Sequence, residues 1–255
     1  MFDWGAFTLF LYIYMRMSGF VLFSPIFGRS GIPRPFQAGF IGLLAVAVFY
    51  SAEGSAPVPE TLLSFALRAL SELTVGLAIS FAMRFFLYIA DGAGSMVDSQ
   101  MGLSMGRTYD PVSGSQSTVT ANLFNSMMLL LFFAENGHIT LLRLIATSGE
   151  IVPFGSAYLG REAAERLLEL FADCAVLALK LTFPILGAEM LAQVGMGVLN
   201  KVIPQINVFV INIDVKILVG FVMLLLLITP VSNFLLDAEF TMLQEIRMLL
   251  ALLHR

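Results

Sequence analysis

The sequence predicts an all-α integral membrane-type protein with about six to eight apolar helices, some of them broken, given ~20 residues per span. Three observations lead there. Hydrophobic residues make up 58% of the 255, mean hydropathy is +0.87, and charged residues reach only 13%, about half the ~25% usual in soluble domains. Several charges nevertheless fall inside the apolar segments. A polar, glycine-rich stretch at 91–117 and an apolar string at 202–213 set with Pro204, Gln205, Asn207 and Asn212 interrupt the hydrophobic pattern.

The elements follow in order. Phe7–Phe27 is apolar but for Arg16. Gly28 to Pro35 holds two glycines and two prolines and reads as a tight turn. Phe36–Tyr50 is a second apolar run, and Ser51–Pro59 a loop. Leu62–Ala90 is long and helix-periodic, carrying Arg68, Glu72 and Arg84, before the polar stretch is expected to loop out. Val119–Ala134 runs into Glu135-Asn136-Gly137-His138, a second run extends to Ala146, and Ser148–Gly160 is a loop with Pro153. Arg161–Phe171 is amphipathic, with Glu162 placed four residues before Arg166, and continues into apolar sequence with Asp173, Lys180, Pro184 and Glu189. Ile217–Leu236 is an uncharged stretch long enough to span. The tail aligns Phe240, Leu243, Ile246, Leu250 and Leu253 on one side of a helix. No repeat or linker divides the chain, so a single membrane domain is expected.

Several classes drop out. A net charge of −4 supplies no field for nucleic acid. The lone Cys174 forms no disulfide within the chain. No Lys or Arg precedes Arg16, which does not support a removable signal peptide. His138 and His254 lie far apart without ligand-type neighbours, and no phosphate loop or nucleophile elbow occurs. No catalytic, metal-binding or cofactor residue is assigned.

The internal charges are Arg16, Arg68, Glu72, Arg84, Asp173, Lys180 and Glu189. Each costs about 2.5–3.5 kcal/mol near a bilayer centre, so they must be paired, reach the interface, or face protein or water. Arg68 and Glu72 stand four apart and can neutralise one another. For the rest, helix-end snorkelling, pairing across a subunit interface and an ion pathway stay open, and their spread along the chain favours the interface. Basic residues in the expected loops show no sidedness. In the polar stretch, Asp91 and Asp98 share a face and could point two carboxylates at a cavity. The stretch itself reads either as a solvated loop or as a movable gate, since irregular backbone at membrane depth is tolerated along a water path.

In order along nearly the whole chain, these residues resemble the FliR family of the flagellar type III protein export gate, to which the injectisome T-type export proteins are related. The pieces are Arg16, Pro25-Ile26, Ile32-Pro33, Gln100-Met101-Gly102-Leu103-Ser104, Asp110-Pro111, Asn136-Gly137-His138, Pro153 and Pro184. Gly197 to Lys201, followed by Pro204 to Phe209, completes the set. The Gln-Met-Gly-Leu form looks flagellar.

The resemblance implies a non-enzymatic core subunit of a helical, multi-subunit export channel in the bacterial inner membrane and flagellar basal body. Its partners would be FliP-like and FliQ-like subunits, an FlhB-like switch protein, an FlhA-like export protein and unfolded flagellar cargo, with no cofactor. Much of such a complex stands above the bilayer plane. A FliP-like portion would cover 1–186, and a FliQ-like hairpin with the amphipathic tail 187–255. The hairpin would turn at Asn200, Lys201, Pro204, Gln205, Asn207 and Phe209. The channel plug would lie at about 105–119, with Met105, Gly106, Arg107, Thr108, Tyr109, Asp110, Pro111, Ser113 and Gly114. Gln100, Met101 and Gly102 become pore or seal candidates, and the seven internal charges become intersubunit contacts. A secondary transporter or proton-coupled permease using Asp91, Asp98, Asp173 and Glu189 is the alternative. A membrane-anchored assembly factor without a pore is a third reading.

Overall fold

The computed structural model describes residues 3–29, 31–52, 59, 61–103, 118–203 and 208–253. Among them nine helices and no strand occur: α1 Trp4–Phe23, α2 Arg34–Ser51, α3 Leu62–Met101, α4 Val119–Ala134, α5 Gly137–Ala146, α6 Ser148–Ile151, α7 Arg161–Val202, α8 Val208–Leu226 and α9 Ile228–Leu252. By length and composition α1, α2, α3 and α7 can each cross a membrane, and six crossings result if the interrupted pairs α4–α5 and α8–α9 each count as one.

Local chemistry sets most helix ends. The Asp3 carboxylate accepts from the Gly5 and Ala6 amides, satisfying donors that have no partner in the first turn. Pro35 occupies the first turn of α2, where a missing N–H costs nothing. Asn136, between α4 and α5, takes φ 57°, a left-handed conformation that asparagine tolerates better than most residues. Between α8 and α9 the helix breaks at Leu227, inside the uncharged apolar stretch Ile217–Leu236. Pro230 is the cause, because it has no N–H to give the Leu226 carbonyl and its ring crowds that oxygen. Pro184 sits inside α7 without ending it.

The larger departure is α3. The helix was expected to stop near Ala90, but it continues through the glycine-rich Asp91–Met101. Those glycines serve close packing: a Cβ on Gly94 would collide with the backbone of Ala121, and one on Gly92 would touch Ala178. Tertiary contact outweighs the low helix propensity of glycine.

The chain forms two compact units, and the division falls within α3, α7 and α9. Unit 1 comprises 1–86, 136–172 and 239–255. In it α1 and α2 form an antiparallel pair, with Phe10 against Phe49 and Phe27 against Phe40. Helices α1 and α3 run parallel: Arg16 meets Glu72, the Phe20 carbonyl meets Ser80, and the Phe23 carbonyl meets Arg84. Their backbones touch at Gly19 and Gly76, where any Cβ would enter the opposite main chain. Such small residues are how helices associate where lipid supplies no hydrophobic drive. Tyr12, Ile13, Met17, Phe20, Ile79 and Met83 fill the space between.

Unit 2 comprises 87–135 and 173–238. Its core gathers Ile89, Ala93, Val97 and Met101 of α3 with Phe124, Met128 and Phe132 of α4, Ala178 and Ile185 of α7, and Leu224 of α8. The Met101 thioether lies against Gly220.

Candidate functional site

Arg16 is wholly buried in unit 1, and each of its three guanidinium nitrogens donates a hydrogen bond. Its Nε donates to Glu72 Oε2 at 2.6 Å, Nη1 to Ser148 Oγ at 3.1 Å, and Nη2 to the Val152 carbonyl at 2.9 Å. The guanidinium carbon stands 4.3 Å from the centre of the Phe154 ring, within cation–π range. The second Glu72 oxygen accepts from the Gly155 amide at 2.7 Å, and Ser148 Oγ in turn donates to the Ile145 carbonyl. One arginine therefore ties α1, α3, α6 and the chain after α6 together.

The local sequence builds this hub. Gly155 has φ 86°, and a Cβ there would press on the Tyr12 ring at 3.0 Å. A Cβ on Gly149 would strike the Phe154 ring. Glycine at both positions lets the 148–155 segment close over the guanidinium. A buried ion pair must recover a large desolvation cost through good geometry and satisfied lone pairs, and here both carboxylate oxygens have donors.

This arrangement corrects two expectations. Glu72 is taken by Arg16 and Gly155, while Arg68, one turn earlier on α3, is exposed, so the local Arg68–Glu72 pair is not the one that forms. Arg16 and Glu72, expected as intersubunit charges, meet within the chain with no exposed side-chain surface.

In unit 2 a second buried carboxylate joins α3 to α4. Asp98 is fully buried; Oδ2 accepts from the Thr120 amide at 2.8 Å and Oδ1 from the Thr120 hydroxyl at 2.5 Å. Thr118 caps the same helix, accepting from the Ala121 amide. A negative charge at a helix N-terminus is favoured by the orphan amides and the dipole. Two turns back along α3, Asp91 Oδ1 accepts from Asn125 Nδ2 at 3.2 Å. Asp91 and Asp98 do share a face, as their spacing says, but the face is packed on α4. These carboxylates hold α3 to α4.

The remaining sequence-derived residues are scattered. Arg84 is exposed and donates to the Phe23 carbonyl at 3.2 Å. Asp173 and Lys180 are exposed on α7, as are Asn200 and Lys201 in its last turn. Glu189 is fully buried on α7, and among the described residues no hydrogen-bond donor reaches either oxygen. Gln100 is half-buried, and Met101 is core. Gly102 ends α3 with φ 82°, the left-handed conformation that suits glycine after a helix. Met105, Gly106, Arg107, Thr108, Tyr109, Asp110, Pro111, Ser113 and Gly114, with Pro204, Gln205 and Asn207, lie outside the described residues, and for Phe209 only the helical backbone is described. Sequence reasoning missed Ser148, Val152, Phe154 and Gly155 around Arg16, and Thr120 and Asn125 opposite the aspartates. One signal was present: Gly19 and Gly76 stand three and four residues beyond Arg16 and Glu72, on the same helix faces.

Apolar helices welded at Gly19–Gly76 and pinned by the buried Arg16–Glu72 and Asp98–Thr120 contacts define a helical membrane protein. Among the described residues no cluster of three or more His, Cys, Asp or Glu could hold a metal. Comparison with known families is specific: the chain belongs to the bacterial export proteins, family 1, whose model matches residues 7–241.

Relatives extend over nearly its full length. It is 29% identical to the flagellar biosynthetic protein FliR of Bacillus subtilis (strain 168), covering 96% of each chain. With FliR of Escherichia coli (strain K12) it shares 27% over 94% of this chain and 92% of that one. The surface presentation of antigens protein SpaR of Shigella sonnei is 25% identical over 82% and 80%. The family resemblance read from the Gln100–Ser104 and Gly197–Phe209 motifs therefore holds.

Proposed function

We propose that this chain is a core subunit of a type III protein export apparatus of the flagellar kind, helping to form and plug the channel that carries unfolded subunits across the bacterial inner membrane. The family match over residues 7–241 carries this reading. The surface supports it. Helices α7 and α8 expose the large apolar side chains Phe183, Met190, Leu191, Val194, Leu218 and Leu225, and exposed apolar surface of this kind marks protein or membrane contact. FliP-like and FliQ-like sister subunits would cover such faces, and FlhB-like and FlhA-like proteins would stand alongside. The plug is assigned to about 105–119 by resemblance. Among the described residues nearby, Asp98 near the end of α3 is hydrogen-bonded to Thr120 at the start of α4. No observation favours the permease reading.

The test is native mass spectrometry of the tagged chain in mild detergent, made with and without its FliP-like and FliQ-like neighbours. One large complex holding a single copy of this chain, with poor recovery when it is made alone, is the expected result. A stable monomer or dimer indifferent to those neighbours would overturn the proposal.

A further inference from the structure

Three arginines, Arg29, Arg34 and Arg84, stand at one end of unit 1, and none of the ion pairs among the described residues uses them. Arg84 of α3 donates to the carbonyl of Phe23, the last residue of α1. The connection from α1 to α2 is folded back on that end: the Gly28 amide donates to the Ser24 carbonyl at 2.8 Å, the Ile32 amide to the Arg29 carbonyl at 3.0 Å, and Gln37 Nε2 to the Phe27 carbonyl at 3.4 Å. Arg29 lies in this connection and Arg34 is the first residue of α2. All three are exposed. The ion pairs among the described residues use Arg16, Arg161 and Arg166 instead. The sequence places no Asp or Glu between Asp3 and Glu53, or between Glu72 and Asp91.

The level of this cluster along the helices is informative. Helices α1 and α2 have 20 and 18 residues, and α3 reaches Arg84 after a similar run from Leu62. At about 1.5 Å per residue each segment measures roughly 27–35 Å, close to the ~30 Å hydrocarbon thickness of a bilayer. Where these helices enter a bilayer from the other end of unit 1, the cations would fall at the level of the headgroups. Exposed apolar side chains lie beside them: Leu22, Phe23, Phe36 and Phe81. Phe36 stacks on Phe40, which continues to Phe27 and Phe20 as an aromatic row.

We infer that this end of unit 1 is a binding site for anionic phospholipid, with Arg29, Arg34 and Arg84 holding the headgroup phosphate and the exposed phenylalanines contacting the acyl chains. Guanidinium forks match phosphate geometry and are weakly hydrated. Anionic headgroups attract basic residues by about 1 kcal/mol each near the surface. An acidic protein segment would satisfy the arginines but would leave the adjoining apolar collar without a reason. An amphiphile accounts for both.

The full-length chain, with any subunits that remain on it, is placed in nanodiscs of phosphatidylcholine mixed with phosphatidylglycerol, and the lipids retained after gentle release are counted by native mass spectrometry. Wild type is expected to retain phosphatidylglycerol several-fold above its bulk share. R29Q/R34Q/R84Q should fall to the bulk ratio, while R247Q should match wild type. R29Q/R34Q spares the Arg84 bond to Phe23 and covers the case in which the triple variant does not fold; it should lose most of the enrichment. No enrichment in wild type, or enrichment unchanged in R29Q/R34Q, overturns the inference. So does a variant that sheds a neighbouring subunit while keeping its lipid, an outcome that would identify an acidic protein partner.

Discussion

Arg16 and Glu72, 56 positions apart, meet at 2.6 Å with neither side chain exposed. The pair sets the register of α1 on α3, and Gly19 and Gly76 lock that register a turn further on, where only hydrogen fits between the backbones. Polar specificity and steric closeness are thus coupled on one helix interface. A slip by a single residue would bury an unpaired guanidinium and drive a side chain into the opposite main chain.

Breaking this pair one-sidedly should be severe. Removing one partner of a buried ion pair costs about 3–5 kcal/mol because the other charge stays buried. E72A and R16A are therefore expected to abolish recovery of the folded chain from membranes, whereas the volume-matched double variant R16M/E72L should regain a substantial part of it. Size-exclusion yield in mild detergent reads all three. Equal loss in the double variant would show that the Ser148, Val152 and Gly155 contacts matter more than the charge balance.

The glycine contacts give an independent prediction. G76V introduces a side chain where even a Cβ would overlap the Arg16 carbonyl and the Phe20 amide. Overpacking typically costs about 1–3 kcal/mol, occasionally more, and backbone cannot move aside as a side chain can. G76V should lower the thermal transition well beyond G39V, since Gly39 has open space around it.

Much of the architecture was legible from composition and periodicity. The four uncharged or nearly uncharged segments, the turn at Gly28–Pro35 and the amphipathic tail all announce themselves through local pattern. What escaped depends on distant partners. Asp91 to Met101 reads as loop because glycine and aspartate are poor helix formers, yet Ala121, Thr120 and Asn125 supply the contacts that keep it helical. Pro230 was visible, but its consequence was lost beneath the strong hydropathy of Ile217–Leu236. Besides Glu72, the groups around Arg16 lie on α6 and the chain that follows it, Ser148 to Gly155, whose sequence carries no periodic signal.

Pro230 can be tested directly. P230A restores an N–H for the Leu226 carbonyl and removes the ring clash, so α8 and α9 should straighten toward one helix. Spin labels at Leu218 and Asn233 should move apart in pulsed distance measurements. An unchanged distance would assign the break to packing rather than to proline.

Asp98 bears on the proposed plug. Its carboxylate complements the first turn of α4 and holds that turn to the last turns of α3, the two described helix ends nearest the proposed plug. D98N keeps the shape, but its amide nitrogen cannot accept from Thr120, and the charge–dipole attraction is gone. Hydrogen bonds to charged groups contribute about 1.5–3 kcal/mol, so the start of α4 should open more often. Amide exchange at Ala121 and Asn122 should accelerate roughly tenfold or more, at about 1.4 kcal/mol per decade, while exchange near Phe132 stays unchanged. If the plug assignment is right, D98N should also raise ion leakage in reconstituted channels toward that of a variant with residues 107–117 shortened. Faster exchange without leakage would leave the anchor intact as a structural finding and move the plug elsewhere.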